Sequence, residues 1–87
     1  MATVYIPPMM RALTHGLNQI PVEGDTVEQL IDALEQQFTG IRDRLCDERK
    51  LKPGLVVVVD GKVSAVGLRS KVAVESEVHF LPAIGGG

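Results

Sequence analysis

The 87-residue chain is predicted to fold as one α+β domain, with a main helix packed on one face of a β-sheet. Three observations predict this class. Two strand-like runs open the chain, a stripe of apolar residues at helical spacing follows, and further strand-like runs occupy the second half. A single main helix covers only one face of such a sheet, so the other face needs a different cover.

The opening runs predict a β-hairpin. Side chains alternate in character from Ala2 to Ile6, the period of a strand, and Pro7-Pro8 ends this run. Residues 9–18 are expected to form a loop with a turn at His15-Gly16. Residues 19–23 form the second expected strand, and its short distance from the first favours antiparallel pairing.

The next segment predicts an amphipathic helix. Asp25 is the expected N-cap, and Glu28 stands at the capping-box spacing three residues later. Gly40 is expected to close the helix as a C-cap glycine. One face carries the apolar positions Val27, Leu30, Ile31, Leu34 and Phe38, which identify the surface that packs on the sheet.

A short second helix is expected over residues 41–47, followed by a charged loop that ends at Pro53-Gly54. The continuous β-branched run Leu55–Val59 predicts a strand in the centre of the sheet. Asp60-Gly61 is a hairpin turn signal, and residues 62–66 could return as another strand.

The last predicted strand is Glu77–Leu81, reached through a connection over residues 67–76. Its alternation places Val78 and Phe80 toward the core and His79 toward the outside. The chain is therefore expected to finish its sheet just before the final glycines.

The outer face of the sheet leaves two interpretations open. Leu55–Val59 is apolar on both sides, so the side away from the helix is either covered by residues 9–17 or available to a partner. Met9 and Met10 either cover the sheet edge or join His79 and Leu81 in a surface that partners grip.

Composition excludes several classes of function. A formal net charge of −2 gives no reason to expect nucleic acid or an anionic membrane as partner, and no signal peptide is recognised. The single cysteine, Cys46, excludes an internal disulfide and a four-cysteine iron–sulfur site, and it is typical of a small buried residue in a cytoplasmic protein. His15 and His79 lack metal-ligand spacing, so no metal site is expected.

The sequence finishes with Gly85, Gly86 and Gly87, directly after the last strand and Pro82. Glycines give a thin, unbranched and flexible segment that can enter a narrow cleft. We expect the carboxylate of Gly87 to be the reactive group. The alternative is a frayed terminus without function.

The ββα opening, the late strand and the ending from Val78 to Gly87 resemble the MoaD/ThiS family of ubiquitin-like sulfur carrier proteins. Within it, Phe38–Leu45 and the Leu-Pro-Ala ending resemble the CysO-like branch. The resemblance implies a β-grasp fold with a mixed sheet of four to five strands, a domain over residues 1–84 and a glycine tail over residues 85–87. Gly85 replaces the alanine or threonine frequent at that position, so Gly86-Gly87 is the matching pair.

The resemblance also implies the chemistry. An E1-like adenylyltransferase of the MoeB/ThiF type would join Gly87 to AMP from ATP, a sulfur donor enzyme would displace AMP, and a sulfur-accepting synthase would use the resulting thiocarboxylate. The chain would be a co-substrate without a bound cofactor or metal, not an enzyme. Gly86 and Gly87 would carry the chemistry, and the expected partner contacts are Gly85, Ile84, Pro82, Leu81 and His79.

Three other functions stay open at this point: a ubiquitin-like modifier attached to lysines, a small subunit of a molybdopterin-synthase-type complex, and a binding module with an inert tail. The sulfur acceptor is equally open among cysteine, the molybdopterin dithiolene, the thiamin thiazole and a specialised metabolite.

Overall fold

The computed structural model describes residues 1–82. The opening strands are β1 (Ala2–Tyr5) and β2 (Gln19–Val22), followed by helices α1 (Val27–Gln37) and α2 (Ile41–Leu45). The remaining strands are β3 (Cys46–Asp47), β4 (Lys50–Leu51), β5 (Leu55–Val59), β6 (Lys62–Val63) and β7 (Glu77–Pro82). This part of the chain also contains two 3₁₀ helices, Pro8–Thr14 and Gly67–Arg69.

Five strands form one mixed sheet in the order β2, β1, β7, β5, β6. The first hairpin pairs β1 with β2 as predicted, and β7 lies parallel to β1 and antiparallel to β5. This is the β-grasp arrangement, and it confirms the predicted α+β class with a mixed sheet of five strands. The predicted boundary between residues 84 and 85 lies outside the described residues.

The core lies between one face of this sheet and the helices. The apolar stripe of α1 is buried as predicted except for Phe38, which lies just beyond the helix and is only partly buried. From β7, Val78 and Phe80 point into this core with 0% and 1% of their surface exposed. The predicted inward facing of Val78 and Phe80 on β7 is therefore confirmed.

The start of α1 differs from the prediction by one residue. Thr26, not Asp25, is the N-cap: its hydroxyl accepts a hydrogen bond from the Gln29 amide at 3.2 Å. In the other direction, the Oε1 of the Gln29 side chain accepts a hydrogen bond from the Asp25 amide at 2.7 Å. Adjacent Asp and Thr residues are both good caps, so pattern alone could not separate them.

The end of α1 also differs from the prediction. Phe38 is the C-cap, while Gly40, with φ of +103°, opens α2 instead of closing α1. The Glu35 carboxylate accepts the backbone N–H groups of Gly40 and Arg42 at 3.1 and 2.9 Å. These hydrogen bonds, from Arg42 foremost, lower the pKa of Glu35 and fix α2 against α1.

The expected loop over residues 9–18 is instead largely the 3₁₀ helix Pro8–Thr14. Met10 is 2% exposed within the core, and the buried Thr14 hydroxyl donates to the Leu17 carbonyl at 2.8 Å. Core contact therefore orders this segment. The predicted turn at His15-Gly16 is confirmed by the positive φ of both residues.

Two further segments differ from the prediction. α2 ends at Leu45, and residues 46–51, expected in part as a loop, form the separate hairpin of β3 and β4. The turn at Asp60-Gly61 is confirmed, with φ of 50° and 85°, but the return strand β6 is only two residues long. β5 lies inside the sheet as predicted, flanked by β7 and β6, while β7 occupies the middle position of the five strands.

A polar clamp fixes the start of β7. The Asp60 carboxylate accepts the Glu77 amide at 2.9 Å and the Ser76 hydroxyl at 2.7 Å, while the Asp60 amide donates to the Glu77 carbonyl. The Glu77 amide, followed by the Ser76 hydroxyl, lowers the pKa of Asp60. The hairpin turn after β5 is thereby tied to the strand that enters the centre of the sheet.

The buried position of Phe80 predicts a large loss of stability on truncation. Phe80→Ala should lower the free energy of unfolding by about 3–5 kcal/mol, because a large buried ring is replaced by a cavity. Leu81→Ala, next in β7 but 45% exposed, should cost about 0.5 kcal/mol. Urea unfolding followed by circular dichroism measures both, and equal losses would contradict the assigned facing of β7.

The clamp predicts an acid-dependent contribution from Asp60. Since the pKa of Asp60 is lower in the folded chain, its contribution is present above the ordinary aspartate range near pH 4 and is lost as pH falls through the folded-state value. Asp60→Asn is the matched variant, because asparagine also tolerates positive φ. The stability difference between wild type and variant should shrink from pH 7 toward pH 2 in thermal melts. A difference that is constant with pH would contradict the clamp.

Candidate functional site at the end of the last strand

A groove of about 410 Å³ opens where β1 and β7 both end. Parallel strands place their carboxyl ends at the same edge, so the residues after Tyr5 and those after His79 meet there. Pro7-Pro8 stops β1 and turns the chain into the first 3₁₀ helix, which forms one wall. Leu81 and Pro82 from β7 form the opposite wall. We call this feature the strand-end groove.

An aromatic pair lies beside this groove on the outer face of the sheet. The rings of Tyr5 and His79, directly paired between β1 and β7, stack with centroids 4.0 Å apart and planes 7° apart. The His79 Nε2 lies 3.8 Å from Glu77 Oε1, two residues back on the same face. The stack forms a flat platform of the kind that protein partners contact.

The outer face continues from this platform onto β5. Val56 and Val58 are half-buried there and pair in register with Leu81 and His79. Residues 9–17 were one possible cover for this face, but the 3₁₀ helix that begins this segment packs against α2 and places Met10 in the core. The outer face therefore stays partly accessible.

The structure brings together three of the predicted partner-binding residues. His79, Leu81 and Pro82 all line the strand-end groove, and Met9, 60% exposed, joins them. Met10 does not, because it is a core residue. Binding itself stays a prediction for these positions, and the other predicted site residues, Ile84, Gly85, Gly86 and Gly87, lie outside the described residues.

Arg11 is a groove residue that sequence reasoning did not single out. It is half-buried on the first 3₁₀ helix, and its Nε is shielded from solvent without a hydrogen-bond partner in the described part of the chain. No periodic pattern marks an arginine inside a segment expected to be a loop. Its significance depends on the groove, which only the fold creates.

The other candidate residues do not form a reactive site. Cys46 is 6% exposed in the core, and burial raises the pKa of its thiol, which disfavours the nucleophilic thiolate. The interpretation of Cys46 as a small buried residue is thus confirmed. Among residues 1–82 no three His, Cys, Asp or Glu side chains group as they would around a metal ion. Nor does this part of the chain contain a helix with the length and apolar character needed to cross a membrane.

A second, larger groove of about 600 Å³ lies where β1 begins, at the end of the sheet opposite the strand-end groove. Glu23, Asp25, Val72 and Val74 contribute to its walls. It contains none of the residues predicted to function in binding or chemistry.

Comparison with known proteins agrees with the fold. The ThiS family model matches residues 6–87. The sulfur carrier protein CysO of Mycobacterium tuberculosis is 35% identical over 92 residues, covering 98% of this chain and 97% of the relative. A chain in the crystal structure of the BexX/CysO complex of Amycolatopsis orientalis is 34% identical, with a TM-score of 0.90 and full coverage of both chains.

A more distant likeness shows the fold alone. The small archaeal modifier protein 1 of Methanosarcina acetivorans is 19% identical, with a TM-score of 0.76 over 99% of this chain and 95% of that one. The family match and the identity to CysO confirm the resemblance found in the sequence: the chain belongs to the ThiS family.

Proposed function

We propose that the chain is a sulfur carrier whose Gly87 carboxylate is adenylated and then converted to a thiocarboxylate. The observation that carries this proposal is the 35% identity to the sulfur carrier protein CysO over nearly the whole of both chains. The ThiS family match, which includes the glycine segment, supports it.

The chemistry requires an activating partner. A carboxylate is a poor electrophile, so an E1-like adenylyltransferase of the MoeB/ThiF type uses ATP: the Gly87 carboxylate attacks the α-phosphorus and pyrophosphate leaves. A sulfide-level sulfur nucleophile supplied by a donor enzyme then attacks the acyl carbon, AMP leaves with the ester oxygen, and loss of the S–H proton leaves the thiocarboxylate. ATP is bound by the partner, and the carrier itself provides no catalytic side chain.

The glycines suit this reaction because the activating site must enclose the acyl carbon. Water that reached the adenylate would hydrolyse it, so the site has to close around the reacting atoms. Gly86 and Gly87 lack Cβ atoms and leave room for such closure. We therefore propose residues 1–84 as the gripped domain and residues 85–87 as the inserted segment.

We propose that the activating enzyme contacts the strand-end groove. His79, Leu81 and Pro82 lie along the path that leads into residues 83–87, so an enzyme that holds those residues also meets the groove. We propose that Ile84 and Gly85 extend this contact. A sulfur-accepting synthase would contact the same groove. We propose a cytoplasmic location, where ATP is present and Cys46 stays reduced.

Intact mass spectrometry tests the function. The chain is incubated with ATP, its activating enzyme and a sulfide source, and the expected product shows the mass gain of one oxygen-to-sulfur exchange. Methionine oxidation gives nearly the same mass gain, so iodoacetamide alkylation of the product in a Cys46→Ala background identifies the thiocarboxylate. An isopeptide adduct without this product would instead favour the modifier function.

Gly87→Val should lower the rate of adenylation at least about 100-fold, because a branched side chain displaces the acyl carbon from the attacking geometry. Pyrophosphate exchange measures this rate. Ala65→Val, which adds methyl groups at an exposed loop position, is the control and should react normally. Both variants should melt like wild type. Wild-type adenylation of Gly87→Val would refute the assignment of Gly87.

A further inference from the structure

We propose that Arg11 selects the activating enzyme by receiving one of its carboxylates in the strand-end groove. This inference rests on the proposed function, since it concerns the docking step that precedes adenylation. It assigns a specific charge contact to a groove whose other predicted contacts are apolar or aromatic.

Among residues 1–82 the Nε of Arg11 has no hydrogen-bond partner. This nitrogen is shielded from solvent, and within the same residues the Arg11 side chain takes part in no hydrogen bond or ion pair. The groove around it includes Pro8, Met9 and Leu81, and none of the lining residues in the described part of the chain is acidic. By contrast, Arg42 on α2 is paired with both Asp32 and Glu28.

A carboxylate is the ligand that this environment fits. Arginine carries five N–H donors in a planar fork, which matches two carboxylate oxygens at once. A partly desolvated donor without an acceptor is costly, and the apolar walls strengthen any charge contact made between them. A partner that brings a carboxylate into the groove both relieves this cost and covers Met9 and Leu81.

The activating enzyme is the partner that most needs such a contact. Before charging, the end of the chain is an ordinary carboxylate, so its chemistry does not distinguish this protein from other glycine-ended chains. After charging, the sulfur itself is distinctive. Five residues, even fully extended, would reach at most about 18 Å beyond Pro82, so an enzyme that encloses Gly87 would be close enough to contact the groove.

Pyrophosphate exchange with the cognate E1-like adenylyltransferase tests the contact through the KM for the carrier. Arg11→Met keeps the apolar stem and removes the charge, and it should raise KM about 10- to 100-fold with little change in kcat. Arg11→Lys should retain only part of the affinity, because it lacks the fork. Arg49→Glu, in the exposed turn between β3 and β4, is the control and should change KM less than about twofold.

Salt dependence separates a charge contact from a packing effect. The wild-type KM should rise with ionic strength more steeply than the KM of Arg11→Met, which has lost the ion pair. Thermal melts verify that the variants are folded. Equal KM values for wild type and Arg11→Met, or parallel salt dependences, would overturn the role of Arg11, whereas a wild-type chain that is not adenylated at all would overturn the proposed function.

Discussion

The insertion of β7 between β1 and β5 is the interaction on which the rest of the structure depends. β7 is the last strand among residues 1–82, yet it lies at the centre of the sheet, parallel to the first strand. The polar clamp at Asp60 fixes its start, Val78 and Phe80 anchor its middle, and its end at Pro82 leaves the sheet beside the end of β1. The residues that follow Pro82 therefore start from a rigid and defined point.

The alternation of β7 connects stability with recognition. Val78 and Phe80 face the core, while His79 and Leu81 face outward on the same strand. Because neighbouring residues serve opposite faces, an outward position can change its contacts with partners at little cost to the fold. The stack of His79 on Tyr5 adds order to the outer face, so the surface offered to a partner is largely preformed.

Elements with a clear periodicity of apolar residues could be predicted from the sequence, whereas features that depend on contacts between distant segments could not. The α1 stripe and the facing of β7 follow from local alternation. The central position of β7 arises from pairing between the two ends of the chain, which no local pattern contains. The burial of Met10 depends on contacts with the core that the local pattern around it does not show. Arg11 could not be recognised from the sequence, because the strand-end groove exists only where β1 and β7 meet.

If the chain supplies no catalytic side chain, as proposed, its partners must recognise it by its surface. Its proposed reacting group is a glycine carboxylate, which is common to many proteins, so discrimination has to come from the domain. An arginine that has no partner among residues 1–82 and lies in an apolar groove provides discrimination in both directions. A correct partner supplies the missing carboxylate, while a wrong partner that covers the groove leaves the guanidinium buried and unpaired, or brings a second positive charge to it. One residue can thus favour binding to the right enzyme and penalise binding to the wrong one, without altering the segment that reacts.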